Sequence, residues 1–396
     1  MSDSSKSSAT QPSEHSGRQS RQEKPPLVWS NLIFFITITI LGLVAAPIWG
    51  ILVGFSGWAW AFLFIFWTLN GLTITIGYHR LWSHRTFKAR WPLRLVLALL
   101  GTQALQNSIL VWAARHRVHH RHVDDTERDP HSIRTGFWHA HMGWMLRDWP
   151  TSEIDFDQVK DLQRDPIVMW QHRHYWALTW LTNLGVPVVL GLLLGDLIGM
   201  VLLAGAARLV ISQHLTFFIN SLAHTWGRRN YSDDNTARDN GLIALLTWGE
   251  GYHNFHHAFQ ADYRNGVRWW HFDPAKWCIA TASLLGMAYD LKRTPRFKIQ
   301  RARLQTQFRR LEQRLAQAEV EPTWREVFER EYQQFKDTVV QWQAVQTERV
   351  QAGAGALRDR WRRIEFRTRY RELEYRLKMQ ARRLSMLNRA MSTSAA

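Results

Sequence analysis

Residues 113–122 read Ala-Ala-Arg-His-Arg-Val-His-His-Arg-His, and this stretch decides how the rest of the chain has to fold. Within it, His116, His119 and His120 form the pattern H-x-x-H-H. On an α-helix, residues three and four positions apart lie on the same face, so the three imidazoles converge on one small volume. Neutral imidazole is the commonest metal-ligating side chain, and three on one face suit a nitrogen-rich transition-metal site. The stretch therefore predicts a metal-binding helix.

Three further groups extend this pattern along the chain. His79 and His84 form an H-x-x-x-x-H motif, and a second H-x-x-H-H begins at His253. Asn220 and His224 stand four residues apart at the end of an apolar run. Nine imidazoles exceed what one metal ion accepts, so two ions are predicted, and iron or copper suits a membrane oxidase better than zinc. The predicted ligands are His79, His84, His116, His119, His120, His224, His253, His256 and His257, with Asn220 expected to hold a metal-bound water.

Two local expectations concern the geometry of these motifs. Residues five apart differ by about 140° around a regular helix, so the helix is expected to end between His79 and His84. The stretch from Val123 to His131 is rich in Asp and Glu. Its carboxylates could orient metal-bound imidazoles through their second ring N–H, or they could form a solvated acidic loop. The sequence leaves both readings open.

The apolar runs predict an all-α membrane protein with four spans. Each run is close to the length that crosses a bilayer, a short turn containing Pro47 is expected after the first, and 22 Trp residues suit membrane interfaces. The two linkers within the apolar pairs carry no Lys or Arg, so the positive-inside rule places both termini and the metal site in the cytoplasm. The segment Trp91–Trp112 is expected to be one interfacial or tunnel-lining helix. The predicted spans are about 28–46, 51–76, 175–194 and 197–219.

Charge and composition divide the chain into three parts. Residues 1–26 predict a disordered tail, 27–291 the membrane domain, and 292–396 a basic extension of amphipathic helices. The extension is expected to break near Pro322 and Gly353–Gly355, and to pack on itself, on a partner or on anionic headgroups. The net charge of +17 raises nucleic-acid binding as an alternative, but apolar spans and interleaved Glu argue against it. The single Cys278 excludes an internal disulfide and a multi-Cys metal site.

The motifs H-R-L-W-S-H, H-R-V-H-H, N-S-L-A-H-T-W-G and G-E-G-Y-H-N-F-H-H resemble those of integral-membrane fatty acyl desaturases of the stearoyl-CoA (delta-9) type. The likeness covers roughly Val28–Tyr289. It implies four transmembrane helices under a cytosolic helical cap with a di-iron centre, whose ligands fall on the nine histidines named above. It also implies an oxygen-dependent reaction that uses two electrons to introduce a cis double bond, expected at the delta-9 position, into a saturated acyl chain. Asn107 matches a family residue that bonds the acyl carbonyl region.

Departures from the family pattern leave the acyl carrier open. Animal acyl-CoA members carry Arg-Asp before the central motif, where this chain has Ala114-Arg115. Arg115 is expected to meet a phosphate of the substrate, and the carrier could be CoA, a carrier protein or a glycerolipid. No His-Pro-Gly-Gly haem motif is present, so electrons are expected from a separate donor of cytochrome b5, ferredoxin or rubredoxin type. The chain ends without a retention signal, which favours the bacterial inner membrane over the endoplasmic reticulum.

Two alternative functions remain at this stage. One is another His-box membrane hydroxylase or ketolase. Such an enzyme shares the metal-binding histidines and the membrane spans but differs in the spacing of its motifs. The other is a membrane scaffold or sensor whose histidines only bind metal while the basic extension does the work. The first motif and the G-E-G-Y-H-N-F-H-H context favour a desaturase over both. No catalytic side chain beyond the metal centre is expected.

Overall fold

The computed structural model describes residues 24–317, 322–352 and 359–394 of the chain. Almost all regular structure within these residues is helical, as predicted. Residues 1–23, which make up most of the predicted disordered tail, lie outside the described residues, and so does Gly353–Gly355. Four helices are long and apolar enough to cross a membrane, which confirms an integral membrane protein. They are Trp29–Leu52, Gly57–Ser83, Tyr175–Leu194 and Leu197–Thr225.

The turn expected at Pro47 is wrong, because the first span continues through this residue to Leu52. A π-helical turn over Leu41–Ala45 precedes the proline, and the N–H of Ala46 donates to the carbonyl of Leu41, five residues back. A wider turn accommodates the missing N–H and the bulk of a proline ring without ending the helix. The chain therefore reverses after Leu52, where Gly54 takes a left-handed conformation with φ of 91°.

One carboxylate links the tips of the two helical hairpins by hydrogen bonds. Asp196 caps the fourth span by accepting the N–H of Gly199 at 2.8 Å. Its second oxygen accepts the N–H of Ser56 at 2.9 Å, and the hydroxyl of Ser56 in turn accepts the N–H of Ala59 at the start of the second span. Caps of this kind satisfy amide groups that a helix leaves unpaired. They hold the second and fourth spans side by side, and these two spans carry three of the predicted ligands.

The segment predicted as one helix over Trp91–Trp112 is broken. Helical structure over Trp91–Ala104 meets the helix Ile109–His122 at an angle of 80°. Leu105 and Asn107 take left-handed conformations at the break, with φ of 53° and 74°. The hydroxyl of Ser108 then accepts the N–H of Val111 and starts the second helix. The bend places Gln106 and Asn107 beside a cavity and aims the central His motif at the other ligands.

Short elements complete the part of the fold around the ends of the second and fourth spans. Strands Lys88–Ala89 and Ala288–Tyr289 pair antiparallel and join the chain after the second span to the chain before the extension. The short helices, including 3₁₀ and π turns, are Ile133–Thr135, His139–Gly143, Trp144–Leu146, Pro150–Ser152, Phe156–Val159, Lys160–Gln163, Pro166–Arg173, Gly241–Leu246, His253–Ala258 and Pro274–Leu284.

Among its described residues, the C-terminal extension forms three helices, Arg296–Gln317, Pro322–Gln351 and Arg360–Ser394. Pro322 opens the second helix at a position where a missing N–H costs nothing, so the predicted break there is confirmed. The apolar residues at three–four spacing face one another in a separate core, as the amphipathic pattern predicts. This core contains Leu304, Phe308, Leu311, Leu315, Phe366, Leu373, Leu377 and Leu384.

A buried ionic network fastens the end of the second span to the cap. The guanidinium of Arg80 donates to both oxygens of Asp273 at 2.9 and 3.2 Å, and also to Glu250 at 3.3 Å. Asp273 is fully buried and accepts the backbone N–H groups of Asn265 and Gly266 at 2.9 and 3.0 Å. A buried charge stays ionised only when it is paired and hydrogen-bonded. The network therefore fixes the position of Arg80, which directly follows the ligand candidate His79.

Substituting Asp273→Asn is expected to lower the free energy of unfolding strongly, because Arg80 then loses most of its compensation. Breaking one partner of a buried ion pair costs about 3–5 kcal/mol. The matched control is Asp290→Asn, whose exposed pair with Lys88 at 3.2 Å is worth at most about 1 kcal/mol. Thermal unfolding of the purified protein in detergent measures both. Equal losses in the two variants would show that the Arg80 network is not a main support of the cap.

Candidate metal centre

The nine predicted histidines converge on two neighbouring groups. In each group, one ring nitrogen of every residue lies within 4.8 Å of those of the others. The first group consists of His79, His84, His116, His120 and His256. The second group consists of His119, His224, His253 and His257. Residues up to 178 positions apart along the sequence are thus brought together in the arrangement that two metal ions require.

The second span continues past residue 76, where it was expected to end, to Ser83. This continuation positions His79 and His84. Residues Ile74–Ser83 form a π-helix, and the N–H of His84 donates to the carbonyl of His79 at 3.0 Å. The i to i+5 hydrogen bonds of a π-helix widen the turn, so residues five apart come onto one face. The helix ends at Ser83 with His84 at its C-cap, so the expectation of a helix end between the two histidines is confirmed. Their rings lie 4.8 Å apart, centroid to centroid.

Each H-x-x-H-H motif divides its ligands between the two groups. On the helix Ile109–His122, His116 and His120 belong to the first group and His119 to the second. In the H-x-x-H-H motif that begins at His253 the division is reversed, because His253 and His257 belong to the second group and His256 to the first. Residues four apart on a helix lie almost above one another, whereas the residue three positions from the first is displaced sideways on the same face. Two helices can thus bridge two metal positions.

The ring nitrogens approach one another too closely for ordinary side-chain packing. The Nε2 atoms of His79 and His256 are 2.9 Å apart, and those of His256 and His120 are also 2.9 Å apart. In the second group, the Nε2 atoms of His253 and His224 are 3.1 Å apart. Imidazoles whose Nε2 atoms all face one point satisfy one another poorly as donors and acceptors. This donor set fits metal ions held between the rings.

Three of the imidazoles bind oxygen acceptors through their other ring nitrogen. The Nδ1 atom of His79 lies 2.9 Å from Glu250, and that of His119 lies 2.9 Å from Asp129. His224 Nδ1 lies 2.8 Å from the hydroxyl of Thr236. A metal-ligating histidine almost always donates its second N–H to such a partner, which fixes its tautomer and its ring orientation. These contacts leave the Nε2 atoms free to face the centre of each group.

The acidic stretch between Val123 and His131 contains both kinds of carboxylate that the sequence left open. Asp129 orients His119, and Asp124 accepts the Thr236 hydroxyl at 2.6 Å and so supports His224 through it. Asp125 instead binds Arg128 near the surface, and Glu127 is exposed. The orienting role of Glu250 was missed by sequence reasoning. It stands three residues before His253, but nothing in that spacing reveals its partners in the second span.

Burial keeps His256, His257 and the neighbouring His131 neutral, and metal ligation requires a neutral imidazole. Desolvation, followed by the neighbouring imidazoles, lowers the pKa of His256 and His257 well below the ordinary value. Desolvation also lowers the pKa of His131 to about 3. Desolvation raises the pKa of Asp129, but electrostatic interactions and hydrogen bonds with His119 and His131 outweigh it and hold this pKa well below its usual range. Asp129 is therefore an ionised acceptor.

Two adjoining cavities open onto the first and second groups. One is lined by Asn220, His116, His119 and His253, together with Trp248. The second shares some of its lining with the first, and the shared residues are Gln106, Trp112, His116, Thr216 and Asn220. The structure therefore brings Asn220 to the histidine groups, at the junction of the two cavities.

The second cavity also contains both predicted substrate residues. Asn107 lines it, and the backbone N–H of this residue donates to the hydroxyl of Tyr175 at 2.9 Å. Arg115 lines it with its guanidinium 5.6 Å from the ring centre of Trp144, and donates to the carbonyl of Ser152 at 3.4 Å. The Nε of Arg115 has no hydrogen-bond partner among the described residues. A cation with a spare donor thus lines the second cavity.

A family model described as fatty acid desaturase matches residues 58–291. The chain belongs to the fatty acid desaturase family. The matched range contains all nine histidines and Asn220, together with the second, third and fourth spans. The family membership predicted from the motifs is therefore confirmed, over more than half of the chain.

Individual desaturases with different acyl carriers resemble the chain. It is 43% identical over 279 residues to "Probable acyl-CoA desaturase" of Schizosaccharomyces pombe, covering 70% of this chain and 58% of that protein. It is 43% identical over 259 residues to "Acyl-CoA desaturase 1" of Saccharomyces cerevisiae, covering 64% and 50%. It is 33% identical over 282 residues to "sn-2 palmitoyl-lipid 9-desaturase" of Nostoc sp., covering 69% and 94%. The chain thus spans only about half the length of the two yeast relatives.

Substituting Asp129→Asn is expected to weaken metal binding about 10–100-fold, because His119 then loses its ionised acceptor. The matched control is Asp125→Asn in the same loop, whose carboxylate binds Arg128 instead. Metal affinity is measured by competition with a chelator on the purified protein. Similar affinities in the two variants would contradict the orienting role of Asp129.

Proposed function

We propose that the chain is an oxygen-dependent fatty acyl desaturase that introduces a cis double bond, at the delta-9 position, into a saturated acyl chain. The observation that carries this proposal is the pairing of two buried imidazole groups with a mainly apolar channel that passes beside them. The domain that performs the reaction is residues 27–291. Residues 292–396 form an accessory extension.

We propose that two iron ions occupy the two histidine groups. The residues that would hold them are His79, His84, His116, His120 and His256 in one group, and His119, His224, His253 and His257 in the other. The amide of Asn220 would hold a water molecule beside the second group. Iron bound there would let dioxygen, with two electrons and two protons, take two hydrogens from adjacent methylenes and leave as two water molecules, which is beyond side-chain acid–base chemistry.

The role of the protein is to hold the acyl chain at one register beside the metal groups. Trp112 stacks on His116 with ring centres 4.7 Å apart, and its indole N–H donates to Gln106 at 3.2 Å. Gln106 donates in turn to the hydroxyl of Thr216 at 3.0 Å on the fourth span. These bonds fix the channel wall next to the first group. A fixed wall selects which methylenes face the metals and excludes water from them.

The acyl carrier follows from the polar end of the channel. Asn107 would bond the acyl carbonyl region there, and Arg115 would bind a phosphate of the carrier. The names of the two yeast relatives favour acyl-CoA, and the Nostoc relative keeps an acyl lipid as the alternative. Dioxygen and two electrons complete the reaction. The electrons come from a separate donor of cytochrome b5, ferredoxin or rubredoxin type.

The distribution of charge supports a cytoplasmic active site with both chain ends on the same side of the membrane. Neither hairpin tip, at Val53–Ser56 or Gly195–Asp196, contains a Lys or an Arg, as the positive-inside rule requires of the outer face. The assignment to the bacterial inner membrane stays a prediction. Nucleic acid is not an expected partner, because the basic residues lie on a membrane protein and among Glu residues.

Expression in a yeast that lacks its own delta-9 desaturase tests the proposed reaction. The wild-type chain is expected to produce cis-9 monoenes, and His120→Ala to produce none, because it removes a member of the first group. His122→Ala is the matched control and should retain production, since His122 is on the same helix but belongs to neither group. Double-bond positions in total fatty acids are the measurement.

Hydroxylated products in place of monoenes would favour the His-box hydroxylase over the desaturase. Full activity of His120→Ala, with iron retained, would contradict the assignment of the histidine groups. A chain truncated after residue 292 distinguishes the scaffold alternative, because retained desaturation shows that the extension is accessory.

Substituting Arg115→Gln is expected to raise the KM for stearoyl-CoA about 10-fold or more, because a hydrogen bond to a charged group contributes about 1.5–3 kcal/mol. The kcat should change much less, since Arg115 belongs to neither histidine group and its proposed role is to bind the carrier. Arg121→Gln, at an exposed arginine of the same helix, is the control and should leave the KM unchanged. An unchanged KM for stearoyl-CoA, with a raised KM for a stearoyl lipid, would identify the lipid as the substrate.

A further inference from the structure

A groove in the C-terminal extension is lined by four arginines. It lies between the helices Pro322–Gln351 and Arg360–Ser394. Three of the arginines are spaced four residues apart on the last helix, so they form one row, and the fourth comes from the facing helix. The lining residues are Arg349, Arg363, Phe366, Arg367, Tyr370, Arg371 and Glu374.

These four arginines differ from the other arginines around them. On the same helix, Arg369 pairs with Glu348 at 2.7 Å, Arg376 with Glu372 at 2.6 Å, and Arg383 with Glu331 at 2.6 Å. Within residues 24–317, 322–352 and 359–394, no ion pair involves any of the four groove arginines. Like charges four residues apart on a helix repel one another. An anion bound between them would remove this repulsion.

The groove also contains a buried donor without a partner. The hydroxyl of Tyr370 is inaccessible and makes no hydrogen bond to any described residue. Arg349 lies over the Tyr370 ring at 6.0 Å, so the ring holds one cation in place while its hydroxyl stays available. Guanidinium groups and a hydroxyl donor are the combination that recognises phosphate. Glu374 lies at one end, where its carboxylate can accept a hydroxyl of the bound group.

The groove is at the end of the bundle that joins the membrane domain. Phe297, at the start of the first extension helix, stacks on Trp342 with ring centres 4.6 Å apart. Arg349 lies two turns beyond Trp342 on the same helix. Just before the extension, the N–H of Lys292 donates to the carbonyl of Thr86 at 2.9 Å, three residues after the second span ends. The groove therefore lies at the end of the extension that is joined to the membrane domain, which is its base. This end is the one nearer the cytoplasmic end of the second span.

Two exposed apolar side chains belong to the same stretch of the helix as the arginine row. Trp361 is 73% exposed and Ile364 is 46% exposed. Residues 360–371 contain six arginines and only one acid, Glu365. Basic clusters bind anionic headgroups, and exposed Trp and Ile suit the boundary between headgroups and acyl chains. A soluble phosphate would use the arginines but would leave these two residues without a role.

We propose that this groove binds the phosphate of an anionic phospholipid headgroup and fastens the base of the extension to the membrane surface. The phosphate lies between Arg349 and the row Arg363, Arg367 and Arg371. The Tyr370 hydroxyl donates to it, and Glu374 accepts a headgroup hydroxyl such as that of phosphatidylglycerol. Trp361 and Ile364 enter the interface beside it.

An environment-sensitive label on the full chain tests this site. Ile364→Cys in a Cys278→Ser background is labelled with bimane and reconstituted into nanodiscs of phosphatidylcholine, with or without phosphatidylglycerol. A blue shift of the emission is expected only with phosphatidylglycerol. The combined substitution Arg363→Gln, Arg367→Gln and Arg371→Gln should abolish the shift. A label at Ser385→Cys, towards the other end of the same helix, should show no shift.

A charge-matched variant separates the groove from general attraction to an anionic surface. Arg369→Gln, Arg376→Gln and Arg383→Gln remove the same number of charges from paired arginines, and this variant should keep the shift. Helical content and thermal unfolding show that both variants are folded. A shift in pure phosphatidylcholine, or equal losses in the two variants, would overturn the proposal. A shift produced by adding glycerol phosphate to the protein in pure phosphatidylcholine would also overturn it, in favour of a soluble phosphate ligand.

Discussion

The structure depends on the orientation of nine imidazole rings that must all aim a nitrogen at one of two points. A ring on a flexible side chain does not hold such an aim by itself, so the surrounding groups have to fix it. Glu250 and Asp129 accept the second N–H of His79 and His119, and Thr236 binds His224. Each of these partners is itself held by other buried groups. The polar interior of the cap is thus explained by the requirement for ligand orientation.

This constraint also explains irregular features of the helices. A regular helix would point His79 and His84 in different directions, and the π-helix Ile74–Ser83 brings them together. The break at Leu105 and Asn107 similarly turns the central motif towards the other ligands and opens the channel at its side. Such irregular backbone is tolerated at this depth because it lines a cavity and has bonding partners inside the protein. Local departures from ideal helices occur where the proposed function needs them.

The sequence predicted the spans, the histidines and their grouping at one membrane end because these depend on hydropathy and short-range spacing. It did not predict which histidine belongs to which group, since that depends on how two helices face each other. Glu250 was missed because its partners lie in a distant span, and the turn at Pro47 was wrong because a wider helical turn absorbs the proline. Asp124 and Asp129 were among several acids of one loop, and only burial in the fold separates them from Asp125.

The central claim is that the two histidine groups hold one metal ion each. Iron per chain, measured on protein loaded anaerobically with ferrous iron and freed of loosely bound metal, tests it most directly. The account predicts two iron ions in the wild type and about one in His253→Ala, which removes a member of the second group only. One iron ion in the wild type would contradict the account. So would two tightly bound ions that are unaffected by this substitution.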